Sequence, residues 1–245
     1  MKNWLFFSVA LLAAPIVQAM QHQTLQFDQQ AYDVIKVEDL DQLKLFLKSP
    51  ETNRYYQKFA AVQKELPACA QLNFAMNAGM YHADLQPVGL YVEHGKQLAP
   101  LNETTGFGNF FMQPNGVVAW NERHAVIKST ADYKKDGFKA QFATQSGPML
   151  INKGKINTQF LVDSNSFKIR NGVGVKDNQL YFVISQQRVS FYEFAKFFKQ
   201  QLQIDNALYL DGSISSLYSI QSKRHDKRFN LGPIVAEVSR EKCKS

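Results

Sequence analysis

The chain has 245 residues, of which 45% are hydrophobic and 13% aromatic, enough to build a substantial core and to exclude a disordered polypeptide. With 28 basic against 21 acidic side chains it carries a formal net charge of +7, which suits an anionic partner. The 2 cysteines and 5 scattered histidines form no H-E-x-x-H or cysteine cluster, so neither a metal nor another cofactor is expected.

The N-terminus reads as an export signal. Lys2 supplies the positive charge, Trp4 to Leu12 a short apolar run, Pro15 a break, and Val17-Gln18-Ala19 the small residues of a cleavage site. The apolar run is well short of the ~20 residues that span a bilayer. Residues 1–19 are therefore expected to be removed, leaving a periplasmic or secreted protein with no transmembrane anchor. No cysteine follows the cleavage site to carry a lipid. Export makes nucleic acid a poor partner and a phosphorylated glycan or the envelope a better one. In an oxidising compartment Cys69 and Cys243 are expected to form a disulfide. The densest basic run, Lys223-Arg224-His225-Asp226-Lys227-Arg228, reads first as a solvated loop, with anion binding as the alternative.

Taken in chain order, two helices come first. Leu40, Leu43 and Leu47 have helical spacing within Val37 to Leu47, and Tyr56, Phe59 and Val62 or Gln63 line one side of Asn53 to Leu66 before Pro67 ends the run. Residues 20–69 are thus predicted as a small N-terminal helical segment, and 70–245 as the main domain. From Ala70 the pattern turns to short strands. Leu72, Phe74 and Met76 alternate, as do Val88, Leu90 and Val92. Turns are expected at His94-Gly95, Pro114-Asn115-Gly116, Lys153-Gly154 and Asp177-Asn178. Ser190 and Glu193 form a capping box ahead of Phe191, Phe194, Ala195, Phe198 and Leu202, the spacing of a buried amphipathic helix. The apolar Ala207-Leu208-Tyr209-Leu210 follows as a strand. The predicted fold class is α+β, a mixed β-sheet with packed helices.

Four segments carry chemistry. Asn77-Ala78-Gly79-Met80-Tyr81, with His82 and Asp84 after it, gathers polar groups at a strand end where small residues allow close approach of a ligand. Ser146-Gly147-Pro148-Met149-Leu150 reads as a turn between strands. Arg170 lies beside Gly172 and Gly174 and offers a planar fork to phosphate oxygens. Finally, Leu210-Asp211-Gly212-Ser213-Ile214-Ser215-Ser216 puts a carboxylate at a strand tip, followed by hydroxyls able to bind sugar or phosphate oxygens. Singly, each also has a plain structural reading, as a turn, a bulge, an exposed arginine or an Asx turn.

In this order the four segments resemble the phosphodiester glycosidase family. Its members carry an N-G-G-F-F-like segment, a G-P-x-L segment, an R-x-x-x-G segment and a final L-D-G-G-G-S-S segment. The similarity runs from Leu72 to Leu217. This chain departs in having Met80-Tyr81 for the aromatic pair and Ser213-Ile214 for two glycines. The resemblance implies hydrolysis of a sugar-1-phosphodiester between the anomeric carbon and the phosphate oxygen. It implies Asp211 or Asp84 as the catalytic carboxylate, and a substrate site made of Asn77, Gly79, Tyr81, Ser146, Gly147, Arg170, Gly212, Ser213, Ser215 and Ser216.

Phosphate is a good leaving group, so one dominant carboxylate is chemically sufficient. Glu193 is not the second, because the capping box accounts for it. Serine hydrolysis lacks a G-x-S-x-G elbow, leaving only Ser213 or Ser146 with His82. Two other classes compete: a non-catalytic glycan- or envelope-binding protein of the same fold, and a structural envelope protein.

Overall fold

Two-residue hairpins, each with both central residues at positive φ, set the register of much of the chain. This is the geometry in which a turn follows the right-handed twist of its strands. In the computed structural model, which describes residues 20–239, β1 (Met20–Phe27) turns through Asp28 and Gln29 into β2 (Gln30–Val37). The expected export signal and Cys243 lie outside the described residues.

The next segment corrects the sequence reading. Leu43 and Leu45 are fully buried and alternate with Lys44 and Phe46, and they form β3 (Leu43–Phe46), not a helix. The same leucines satisfy a helical spacing and a period of two, and pairing with a strand from the C-terminus decides between them. The second expected helix survives only as α1 (Phe59–Glu65). Asn53 and Gln57, both at positive φ, interrupt the run that precedes it.

Then come β4 (Gln71–Asn77), β5 (Tyr91–Glu93) and β6 (Lys96–Ala99), the last two joined through His94-Gly95. Beyond a long loop lie β7 (Gly116–Trp120), β8 (Ala125–Ser129), α2 (Thr130–Asp136) and β9 (Phe142–Ser146). Next, β10 (Met149–Asn152) turns through Lys153-Gly154 into β11 (Lys155–Ile156), and β12 (Asn171–Lys176) through Asp177-Asn178 into β13 (Gln179–Ser185). The capping box forms as expected: the Ser190 hydroxyl accepts from the Glu193 N–H and the Glu193 carboxylate from the Ser190 N–H. It starts α3 (Phe191–Lys196), which continues as a π-helical turn over Phe197–Gln201. The chain closes with β14 (Asn206–Tyr209), a 3-10 turn (Gly212–Ile214), β15 (Leu217–Ser219), β16 (Arg224–His225) and β17 (Ile234–Ser239).

Among the described residues all strand pairings are antiparallel. The three sheets run β1-β2-β13-β12-β14-β10-β11, β16-β15-β4-β17-β3 and β6-β5-β9-β7-β8. The protein is therefore predominantly β, with three antiparallel sheets and a few short helices. This replaces the expected helix-packed α+β class and its N-terminal helical segment. The inner faces meet in one core, where Ile35, Phe182 and Leu208 of the first sheet pack with Phe74 and Val235 of the second and Trp120 and Phe142 of the third. Each outer face has its own cover: Phe194, Phe197 and Phe198 over the first sheet, Phe59 and Val62 over the second, and Tyr133 and Phe138 over the third. Alternation makes this possible, since Leu180, Phe182 and Ile184 of β13 face inward and Tyr181 and Val183 outward. No helix of the described residues is long and apolar enough to cross a membrane.

Candidate active site

Antiparallel pairing brings four strand ends together. Gly172 pairs with Tyr209, so β12 begins where β14 ends, while Leu217 pairs with Met76, so β15 begins beside the end of β4. Asn77 and Asn171 bridge the two sheets at this point. The Asn171 Nδ2 donates to Asn77 Oδ1 and to the Asn77 carbonyl, each at 3.1 Å. The Asn77 Nδ2 donates to the Asp211 carbonyl at 2.9 Å, and its Oδ1 accepts from the Ser216 N–H at 2.9 Å. The Ser215 hydroxyl lies 3.1 Å from Asn171 Oδ1 and 3.1 Å from the Ile169 carbonyl. Both asparagines are buried. Two amides thus fix the path of Asp211 to Ser216 from underneath, satisfying polar groups that burial would otherwise penalise.

Asp211 is half-buried. Burial pushes its carboxyl above the ordinary carboxylate value, opposed by the Ser213 N–H, which donates to Oδ1 at 3.1 Å. Two tyrosines sense that carboxylate. Burial, then the Asp211 charge, raises Tyr81 to about 12. Tyr209 also rises to about 12 through burial, a rise that Arg170 opposes and Asp211 assists. Gly212 is required here, since a Cβ on it would come 1.9 Å from the Tyr209 hydroxyl.

Arg170 does not present its fork to the site. It is 1% exposed and its donors are committed to protein: Nε to the Val189 carbonyl at 2.9 Å, Nη2 to the Ser166 carbonyl at 2.8 Å, Nη1 to the Tyr209 hydroxyl at 3.3 Å. Its guanidinium lies 3.7 Å from the centre of the Phe191 ring. Arg170 therefore supports Tyr209, and through it Gly212, from below.

A cleft of about 760 Å³ opens over the 3-10 turn, lined by Gly212, Ser213 and Ser215 on one side and by Lys168, Arg188 and Arg228 on others. Arg224 and Asp226 complete the wall. Arg224 pairs with Asp226 at 2.7 Å and with the buried Asp33 at 2.8 Å. Burial raises the Asp33 carboxyl, but hydrogen bonds from His22, Thr24, Gln186 and Arg224 outweigh it and hold the group well below the ordinary range. Lys168, Arg188 and Arg228 are exposed and take part in no ion pair among the described residues.

The other expected residues are dispersed. Gly79 lies tightly against β9, where a Cβ would meet Thr144 Oγ1 at 2.2 Å, and Tyr81 packs its ring on Gly232 and donates to the Asn230 carbonyl at 2.6 Å. Ser146 is buried at the end of β9, and Gly147 is enclosed by the Phe110 carbonyl and Asn115; neither lines the cleft. Asp84 is exposed and accepts from Gln86 within its own turn. His82 is exposed as well. A different histidine, His22, sits 2.8 Å from the Ser219 hydroxyl and 3.6 Å from Asp33, and all three side chains are buried.

The sequence reading weighs Arg170 and passes over its neighbour Asn171 and nearby Lys168, because an arginine beside glycines is the stronger phosphate signal in isolation. The basic run that holds Arg228 was visible, and only the fold shows that it borders the Asp211 turn.

Comparison with known proteins agrees with this architecture. The sequence profile of the phosphodiester glycosidase family matches residues 70–234. The chain is 39% identical over 183 residues to the uncharacterized protein YigE of Escherichia coli (strain K12), covering 69% of this chain and 71% of that one. Its fold is similar to the catalytic domain of zebrafish N-acetylglucosamine-1-phosphodiester alpha-N-acetylglucosaminidase, solved in a form auto-inhibited by its pro-peptide. The TM-score is 0.61 at 15% identity, over 92% of this chain and 84% of that one.

Proposed function

The chain belongs to the phosphodiester glycosidase family, a family of hydrolases acting on phosphodiester-linked sugars, and from that premise we propose that it is exported and cleaves a sugar-1-phosphodiester of an envelope or extracellular glycan in the cleft beside Asp211. The observation that carries the reading is the position of Asp211: a carboxyl at the tip of β14, raised by burial, one residue from a turn that lines a cationic cleft.

The chemistry follows from the geometry. The phosphodiester enters the cleft with its anion against Lys168, whose neighbour Ile169 contacts Ser215 of the turn through its carbonyl. The bond between the anomeric carbon and the phosphate oxygen breaks, and its electron pair leaves on the phosphate, where cations hold it. Positive charge develops on the sugar ring, and ionised Asp211 stabilises it. Water adds to the anomeric carbon and gives its proton to the Asp211 carboxylate, for which a raised pKa is an advantage. Asp84, exposed and engaged by Gln86, has no part in these steps. Tyr209 and Arg170 position the turn.

The test is turnover of the mature protein on a panel of sugar-1-phosphodiesters in ¹⁸O-water. Hydrolysis with the label on the released sugar is expected. Label on the phosphate would mean cleavage of the other ester bond and would overturn the reading. Binding without turnover across the panel would favour the non-catalytic glycan-binding alternative.

A further inference from the structure

We infer that the substrate carries at least one anionic group besides the scissile phosphodiester, the chemistry of a repeating sugar-phosphate chain, and that Arg188 and Arg228 hold it; this rests on the functional reading above. A phosphodiester is a single negative charge. The cleft offers it three cations without ion-pair partners among the described residues: Lys168, Arg188 and Arg228. The fourth cation, Arg224, bridges Asp226 and the buried Asp33, a trio with one net negative charge. Asp226, the acid in the cleft wall, is thereby also spent. After one phosphodiester is bound at Lys168, Arg188 and Arg228 still have no anionic partner among the described residues.

These arginines are positioned for a ligand. The Nε of Arg188 donates to the Phe167 carbonyl at 3.2 Å, leaving the outer edge of the guanidinium free, and the guanidinium of Arg228 lies 5.2 Å from the centre of the Phe229 ring. Each is therefore tethered at one side and open at the other, the arrangement in which a planar fork grips an oxyanion at low entropic cost. Concentrating like charges in one cleft costs self-repulsion that an incoming polyanion relieves, and the cleft focuses the field that draws it in. Lys168 comes before Ile169, which touches the Asp211 turn, whereas Arg188 and Arg228 come from the segment after β13 and the loop after β16. The scissile group and a second anion thus have separate holders.

The experiment compares calorimetric binding of orthophosphate and linear tripolyphosphate to the mature protein at low and moderate salt. Tripolyphosphate should bind at least ~10-fold more tightly, with the steeper salt dependence. The Arg188→Ala/Arg228→Ala pair should bring the ratio close to one while orthophosphate binding persists. The Arg188→Lys/Arg228→Lys pair, which keeps the charge, should retain part of the preference and guards against a folding defect. Equal affinities in the unmodified protein, or a preference that survives the double alanine change, would overturn the inference. Turnover without a tripolyphosphate preference would sink this proposal alone; the preference without turnover would sink only the hydrolytic reading.

Discussion

Asn77 and Asn171 face each other across the junction of two sheets, the Nδ2 of Asn171 donating at 3.1 Å to both the Asn77 side chain and its carbonyl. Between them they also hold the Asp211 carbonyl, the Ser216 N–H and the Ser215 hydroxyl. Asn171→Ala should leave several of these buried groups unmatched and cost about 1–3 kcal/mol, read as a lower urea midpoint with an unchanged slope. Turnover should fall further than stability predicts, because the turn after Asp211 loses its support. An unchanged midpoint would show that water replaces the amide and that the pair is not a structural bridge.

Asp211→Asn should separate function from stability. Turnover should drop at least ~100-fold, the scale of a lost acid/base group. Stability should move the other way. Burial raises the folded-state pKa above the unfolded value near ~4, so the ionised carboxylate penalises the fold at neutral pH. That penalty is absent below the unfolded pKa and develops as pH rises through the folded one. The variant should melt higher than the parent at pH 7, with the difference closing in acid. A lower melting temperature at pH 7 would contradict the burial argument.

The same shift fixes the acid side of the pH–rate profile. If ionised Asp211 takes the proton from water, kcat/KM should rise with pH through a pKa above the usual carboxylate range and then level off. A profile flat down to pH 4 would remove Asp211 as the base.

For Arg170 the structure predicts a folding defect first. Arg170→Lys gives up the Ser166 and Val189 carbonyls, the Tyr209 hydroxyl and the face of Phe191, none of which an ammonium can hold together. A loss of about 2–3 kcal/mol is expected in chemical denaturation. If the variant instead keeps its stability and loses only phosphate affinity, the guanidinium reaches the substrate after all.

Cys69 follows α1, and its expected partner Cys243 lies outside the described residues. We propose that they are bonded and that the bond ties the C-terminus back beside β4. Closing so long a loop is worth up to about 5 kcal/mol in the chain-entropy model. Intact-mass analysis under non-reducing alkylation should find no modified thiol and a chain that starts near Met20. Two alkylated thiols would disprove the bond, and a full-length mass the export signal.

The turns, the β12–β13 hairpin and the capped helix were legible in the sequence because each depends on a few neighbouring residues. Asp177-Asn178 and His94-Gly95 tolerate positive φ, and Ser190 with Glu193 satisfies the helix start locally. The segment around Leu43 was not legible, since leucines at 40, 43, 45 and 47 suit either period and β17, almost two hundred residues away, makes the choice. The hairpin at Asp28-Gln29 lacked a glycine or asparagine to mark it. Asp211 was readable as a carboxylate at a strand tip. The cationic cleft beside the turn that follows it was not, because Lys168, Arg188 and Arg228 share no local pattern and meet only after the sheets have packed.

The amide bridge beneath the candidate site joins positions 77 and 171 to 211–216, and none of these segments can supply a usable fragment of it alone. Hairpins that close through two residues form early and cheaply, whereas contacts this far apart in sequence must wait for the chain to be gathered in. Regained turnover should consequently lag behind regained strand signal after dilution from denaturant.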